Sequence, residues 1–201
     1  MNRKSTGADR KLTSVQVLEM FEKRGALLSG HFQLTSGLHS DRYLQCALVL
    51  QYPETAGELG AAIAAKFQGD EIDCVVGPAV GGIVIAHEVG RELGARVMFC
   101  EREAGSMKLR RGFAIAGNER ALVVEDVTTT GGSVREVMSA LEKAGAVIVG
   151  VGAIIDRSGG GIKFGVPFKP LAKLEVSTFE PRSCPLCKQG LPLSKPGSRQ
   201  I

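Results

Sequence analysis

Glu125 and Asp126 are adjacent carboxylates. They stand between an apolar run, residues 121–124 (ALVV), and a run of small hydroxyl residues and glycines, Thr128, Thr129, Thr130, Gly131, Gly132 and Ser133. Each part has its own chemical use. Glycines let a backbone approach an anion closely, and hydroxyls add donors to the amide N–H groups. Where such a loop opens a helix, unpaired amides and the helix dipole converge on one spot and favour a phosphate there. Bare carboxylates beside a phosphate would repel it. The acidic pair therefore calls for a neutral polyol or a metal ion between itself and the anion, and a ribose 5-phosphate meets that requirement.

Common nucleotide motifs do not account for the stretch. Gly132 is followed by Ser133 where a Walker loop needs Lys, and no G-x-G-x-x-G occurs in the chain. A plain βα turn capped by Thr or Ser would explain the glycines but would leave the two acids without a purpose.

To position these groups the chain needs a strand before them and a helix after them. The β-branched bias of residues 121–124 predicts a short buried strand that ends at the acids, and Val134, Val137, Met138 and Leu141 recur at helical spacing. The same alternation extends both ways. Residues 73–76 read as a strand, and GPAVGGIVIA as a glycine turn into a helix running to about Leu93. Residues 96–100 read as another strand, and the charged, Gly- and Arg-rich residues 101–119 as a mobile loop or hairpin. A further apolar run, residues 146–155, ends in Asp156, Arg157 and Ser158, and a last strand is expected around 171–176. Repeated strand–helix units imply an α/β fold with a parallel sheet covered on both faces and ligands at the carboxyl ends of its strands. The acids, the glycines and Arg157 all fall at such ends. Upstream, Thr13 or Ser14 caps a helix with Val15, Leu18, Met20 and Phe21 on its apolar face, ending near Gly25. Residues 26–50 read as small strands and turns rather than a helix, and Pro53 opens a long helix to about Phe67 with Leu59, Ala62 and Ile63 inward.

Composition agrees with a single enzyme domain carrying additions. The 201 residues are 44% hydrophobic and 5% aromatic with 26 glycines, which suits many tight βα turns. A net charge of +4 is too mild for a nucleic-acid partner but welcomes a small anion. No apolar run reaches membrane-spanning length and the polar N-terminus has no signal-peptide core, so no membrane partner and a cytoplasmic location are expected. Cys46, Cys74 and Cys100 lie in or beside apolar segments and read as reduced core residues. Residues 1–11 read as a flexible lead, 12–180 as one domain and 181–201 as a tail rich in Pro, Ser, Gly and Lys. In that tail Cys184 and Cys187 form C-x-x-C, half of a zinc site, whereas a closed site needs four ligands. A reduced pair in an extended tail is the expectation, and a Cys₄ site shared by two chains is the alternative. His31, His39 and His87 show no metal spacing and read as structural or surface residues.

The stretch VVEDVTTTGGS resembles the diphosphoribosyl-binding signature of type I phosphoribosyltransferases. Three more stretches, FQLTSGLHSDRYLQ, GPAVGGIVIA and IIDRSGGG, are similar to segments of the orotate phosphoribosyltransferase family, in the right order across most of residues 12–180. The resemblance implies the type I phosphoribosyltransferase fold: a central, mostly parallel sheet flanked by helices, with a small N-terminal hood from about 12–50 on a core of about 51–180. It implies transfer of a 5-phosphoribosyl group from 5-phosphoribosyl 1-diphosphate to orotate, with Mg²⁺ held mainly through the substrate and no direct protein ligand set. By the same resemblance Glu125 and Asp126 are catalytic, at the ribose hydroxyls, and Val127, Thr128, Thr129, Thr130, Gly131, Gly132 and Ser133 bind the 5′-phosphate. Thr129 and Arg157 meet orotate. Arg102 and Lys108, with Arg110 and Arg111 as further candidates, close over the diphosphate. A homodimer with shared sites is implied too, because residues 101–113 resemble a loop that reaches into the neighbouring subunit. The chain departs from the better-known branch at Thr35 and Gly81, where that branch has Lys, and at Glu101, where its loop has Arg. A phosphoribosyltransferase for a purine or another base would share residues 121–135 without needing Arg157. A non-catalytic ligand-sensing regulator on the same fold would be expected to add a DNA-binding helix pair.

Overall fold

The structure, a computed structural model, describes residues 11–34 and 36–196. Thr35 and nearly all of the N-terminal lead lie outside the described residues. The first helix, α1 (Ser14–Lys23), begins in a capping box. The Thr13 hydroxyl accepts from the Gln16 N–H at 3.2 Å, and the Gln16 side chain accepts from the Thr13 N–H at 2.9 Å. It buries Val17 and Phe21 and leaves Val15, expected inward, 65% exposed. Val15 lies two residues from Val17, roughly 200° around the helix, so the two cannot share a face.

Strands β1 (Leu27–Gln33) and β2 (His39–Leu44) pair antiparallel as a hairpin. A single helical turn follows, α2 (Ala47–Leu50), in a segment expected to lack helix; four residues are too few to show a 3.6-residue period. Next come α3 (Pro53–Lys66), β3 (Cys74–Pro78), α4 (Gly82–Leu93), β4 (Arg96–Glu103) and β5 (Ser106–Leu109). The chain continues through β6 (Arg120–Thr128), α5 (Gly132–Lys143), β7 (Val147–Asp156) and β8 (Phe168–Lys173). These strands form one sheet in the order β5-β4-β3-β6-β7-β8, parallel except for β5, which folds back on β4. Strand β6 shows why both faces are covered. Leu122 and Val124 join one apolar cluster with α1, α3 and α4, while Ala121 and Val123 join a second with α5, as alternation along a strand requires. Helices α3 and α4 pack closely at Gly60, where a Cβ would sit 2.5 Å from that of Glu88.

Residues 178–196 do not form an extended tail. Strand β9 (Thr178–Phe179) pairs with β2 to make the hood a three-stranded sheet, and α6 (Pro185–Lys188) follows. Ser194 then bridges the outer edge of β1: its N–H donates to the His31 carbonyl, and its carbonyl accepts from the Gln33 N–H, both at 2.8 Å. An edge strand offers unpaired donors and acceptors, and residues 178–194 satisfy part of that demand. His31 and His39 are buried and lie beside the two cysteines of the C-x-x-C, whereas the His87 side chain is on the surface. Among the described residues no helix is long and apolar enough to cross a membrane.

Candidate active site at the end of strand β6

Strand β6 does not stop at the acids. Its ladder with β7 continues through Glu125↔Ala153 to Thr128↔Asp156, because β7 supplies a parallel partner past the apolar run. The two carboxylates are thereby held in strand geometry. Glu125 is buried and accepts from the Asp126 N–H at 3.1 Å. Burial pushes its pKa well above the usual carboxylate range, and the neighbouring Asp126 charge adds to the rise. Asp126 is half-buried, and its Oδ1 accepts from the Val127 N–H at 2.8 Å.

The turn between β3 and α4 lies directly against this pair. A Cβ at Gly81 would come 2.6 Å from Asp126 Oδ2, and one at Gly82 would come 3.3 Å from Glu125 Oε1. The absence of Lys at position 81 now has a physical reason: any side chain there would force Asp126 to move. Cys46, expected only as a core residue, is buried beside Asp126 and Glu125. Burial and both carboxylates push its thiol pKa well up, so it stands beside the acids as a neutral donor.

After the acids, Thr128 is buried with a hydroxyl that has no hydrogen-bond partner among the described residues. Thr129, Thr130 and Gly132 are exposed, and Gly131 takes a φ of +76° at the N-cap of α5, a conformation that favours glycine. The N-cap residue Gly131 has no side chain to cap α5, and only the Gly132 N–H reaches a side chain, Thr130 Oγ1 at a long 3.4 Å, so the first amides keep most of their capacity for an anion. Arg135 braces the turn from behind, donating to the Thr130 carbonyl at 2.7 Å and the Lys163 carbonyl at 3.2 Å over the Phe164 ring.

Arg157 follows β7, and its N–H donates to the Thr128 carbonyl at 2.8 Å. Its guanidinium is half-buried, and its Nε is enclosed without a partner among the described residues. Burial lowers its pKa, while Cys46 and Tyr43 act in the opposite sense; burial raises that of Tyr43, and Arg157 offsets part of the rise. The fold thus gathers Glu125, Asp126, the turn 128–133 and Arg157, and adds Tyr43, Cys46, Gly81 and Gly82. Sequence reasoning missed the roles of Tyr43 and Cys46. Both adjoin or lie within the hood stretch FQLTSGLHSDRYLQ, but no spacing rule ties them to β6.

Arg102 and Lys108 are not part of this gathering in one chain. They belong to the β4–β5 hairpin at the sheet edge, with β3 between β4 and β6. Arg102 pairs with Glu136 at 3.0 Å and Lys108 with Glu103 at 2.9 Å. Arg110 lies 3.1 Å from Glu103, and Arg111 lies 2.9 Å from Glu101. Water and salt screen charges at the surface, so pairs of this kind hold the hairpin only weakly.

Comparison with known proteins bears on this arrangement. A model of the phosphoribosyl transferase domain matches residues 49–164. The chain is 55% identical over 186 residues to the orotate phosphoribosyltransferase of Caldanaerobacter subterraneus subsp. tengcongensis, covering 92% of this chain and 98% of that one. Among solved structures it is similar to the orotate phosphoribosyltransferase from Aeropyrum pernix, with a TM-score of 0.68 and 25% identity over 79% of this chain and 93% of that one. It also shares its fold with the adenine phosphoribosyltransferase from Rhodothermus marinus, with a TM-score of 0.63 and 22% identity over 80% of this chain and 99% of that one.

Proposed function

The chain belongs to the phosphoribosyltransferase family, among its orotate phosphoribosyltransferases, and we infer that it transfers the 5-phosphoribosyl group of 5-phosphoribosyl 1-diphosphate to orotate. The products are orotidine 5′-monophosphate and diphosphate. An adenine enzyme shares the fold, so the fold by itself does not choose the base. The observation that carries orotate is the half-buried Arg157 guanidinium, with an enclosed Nε lacking a partner, at the strand end next to the acids. A planar fork of donors suits a planar carboxylate, and a desolvated cation gains more from an anion than a solvated one does.

Each group of the chain then has a task. The uncapped N-terminus of α5, with the hydroxyls of Thr128 to Thr130 and Ser133, binds the 5′-phosphate and fixes the ribose. Asp126 and Glu125 hold the ribose hydroxyls and lie near the anomeric carbon, where positive charge develops as the diphosphate departs. The neutral Cys46 thiol and the backbone N–H of Val127 keep the Asp126 carboxylate in place. Thr129 and Arg157 orient orotate for attack, and much of the acceleration comes from that alignment. The surroundings fit Mg²⁺ held mainly through the substrate: Asp126 is a hard oxygen donor that can face its hydration shell, and the space at its Oδ2 stays open because position 81 has no side chain. When bound, Mg²⁺ supplies charge neutralisation on the leaving diphosphate.

The protein acts as a homodimer in which the β4–β5 hairpin of one chain, with Arg102 and Lys108, closes over the diphosphate in its partner. Support comes from the position of the hairpin, two strand spacings from the β6 acids of its own chain for β4 and three for β5, or ~10–15 Å. Diphosphate release measured with orotate, uracil and adenine tests the assignment. Orotate alone should give rapid release, and turnover of adenine without orotate would overturn it.

A further inference from the structure

We propose that His31, His39, Cys184 and Cys187 form a zinc site that fastens the C-terminal segment to the hood. The four residues each offer one ligand atom, and all four atoms lie within 4.8 Å of one another. His31 Nε2 and His39 Nδ1 are 2.9 Å apart. Cys184 Sγ and Cys187 Sγ each lie 3.6 Å from His31 Nε2, and Cys187 Sγ lies 3.3 Å from His39 Nδ1. Tetrahedral bonds of about 2.0–2.1 Å to nitrogen and 2.3 Å to sulfur place ligand atoms roughly 3.3–3.8 Å apart. Three of the four N···S distances already match, and the two nitrogens need to part by only a few tenths of an ångström.

Local structure explains how each ligand comes to be there. In the β1–β2 hairpin Gln33 stands opposite His39, and His31 shares a face with Gln33, so the two histidines are diagonal neighbours on one face. Cys184 caps α6 and Cys187 lies within it, which turns both sulfurs to one side of a tight turn. His31 is also prepared as a ligand. Its Nδ1 lies 2.9 Å from the Leu191 carbonyl, which can only accept, so the proton resides on Nδ1 and Nε2 presents a lone pair to the cluster. Three of the four residues are buried and Cys187 is exposed, leaving a path for the ion from solvent. Two thiolates and two neutral imidazoles would cancel the charge of a divalent ion, which suits a largely enclosed place. Mixed sulfur and imidazole donors favour zinc over Mg²⁺ or Ca²⁺, and four protein ligands leave no open position, so the site is structural rather than catalytic.

Placement gives the consequence. His31 and His39 stand at the two ends of residues 32–38, the turn of the hood, and Ser194 is bonded across His31 and Gln33. One ion therefore ties both legs of that turn to residues 184–194.

Zinc content of the full chain, purified under reductant and incubated with zinc before desalting, tests this. A single ion per chain is expected, with a melting temperature about 5–10 °C above that of the chelated protein. Cys184→Ser/Cys187→Ser should lose both the ion and the shift, and trypsin should then cut faster after Arg182 and Lys188. If the double variant does not fold, the unmodified chain loaded with cobalt decides the matter, because thiolate ligation in a tetrahedral site gives charge-transfer and intense visible bands. A metal-free chain under these conditions, cobalt spectra without thiolate bands, or a Cys184–Cys187 disulfide in place of the ion would each overturn the proposal. Equal zinc binding by the double variant would do the same.

Discussion

Two clusters of polar side chains in this molecule are assembled in opposite ways. The acids and phosphate turn occupy one continuous strand, turn and helix from Glu125 to Ser133, whereas the histidines and cysteines of the hood come from positions as far as 156 residues apart. In the first, the ladder of β6 with β7 fixes the backbone, and the chemistry follows from neighbours along the chain. In the second, each pair is local, but nothing local joins the histidines of the hairpin to the cysteines of α6. They meet only because a hairpin register and a docked C-terminal segment coincide. Damage to the continuous site should therefore cost chemistry while sparing the fold, and damage to the scattered one should do the reverse.

The largest expected effect lies where the continuous site meets its base. Arg157→Ala should lower kcat/KM for orotate by about one to two decades, corresponding to ~1.5–3 kcal/mol for a lost charge-assisted pair, and change that for uracil little. Arg157→Lys should recover only part of the loss, since an ammonium lacks the planar fork. Equal losses for both bases would assign Arg157 to support of the fold.

Asp126→Asn should reduce kcat by roughly tenfold or more, ~1.4 kcal/mol or above, with little change in melting temperature. His39→Ala is its counterpart in the hood and should shift melting while sparing most of kcat. If Asp126→Asn raises only KM for the diphosphoribosyl substrate, or if the two variants exchange their signatures, the contrast between the clusters fails.

A third measurement asks whether the continuous site is complete in one chain. An Arg102→Ala/Lys108→Ala chain mixed and exchanged with an Asp126→Asn chain should recover up to about a quarter of the original activity, because each heterodimer regains one intact site. Mixed dimers as inactive as either parent would show that the hairpin serves its own chain.

The smallest effect concerns pH. Glu125 has a folded-state pKa raised by burial and by Asp126, so the unfolded chain releases this proton first as pH rises. Its contribution to stability is whole below the ordinary carboxylate range and is lost as pH climbs through the raised folded value. Denaturant midpoints followed across that window should decline less for Glu125→Gln than for the unmodified chain. Parallel slopes would mean that Glu125 ionises normally in the folded protein.

Much of the framework was readable without coordinates. Helices α3 and α4 end near the expected residues because Pro53 opens one and Gly94, with its positive φ, closes the other. Periodicity was less reliable where an element is short or where two faces compete. The single turn α2 carries no period, and the spacing places Val15 inward although Val17 holds that place. Strand β6 was expected to stop at Glu125, since polar residues end most apolar runs; pairing with β7 carries it on to Thr128.

The acids, the glycine turn and Arg157 at its strand end were determined by the order of residues alone, because strand, turn and helix are local choices and each residue's neighbours reveal its part. Tertiary structure decided the remainder. It put Gly81 against Asp126, set Cys46 and Tyr43 beside Arg157, and turned a cysteine pair and two unrelated histidines into one cluster. Such contacts depend on strand register and on closing loops that run from 45 residues, between Gly81 and Asp126, to 156, between His31 and Cys187. Neither leaves a period or a spacing in the sequence from which it could be read.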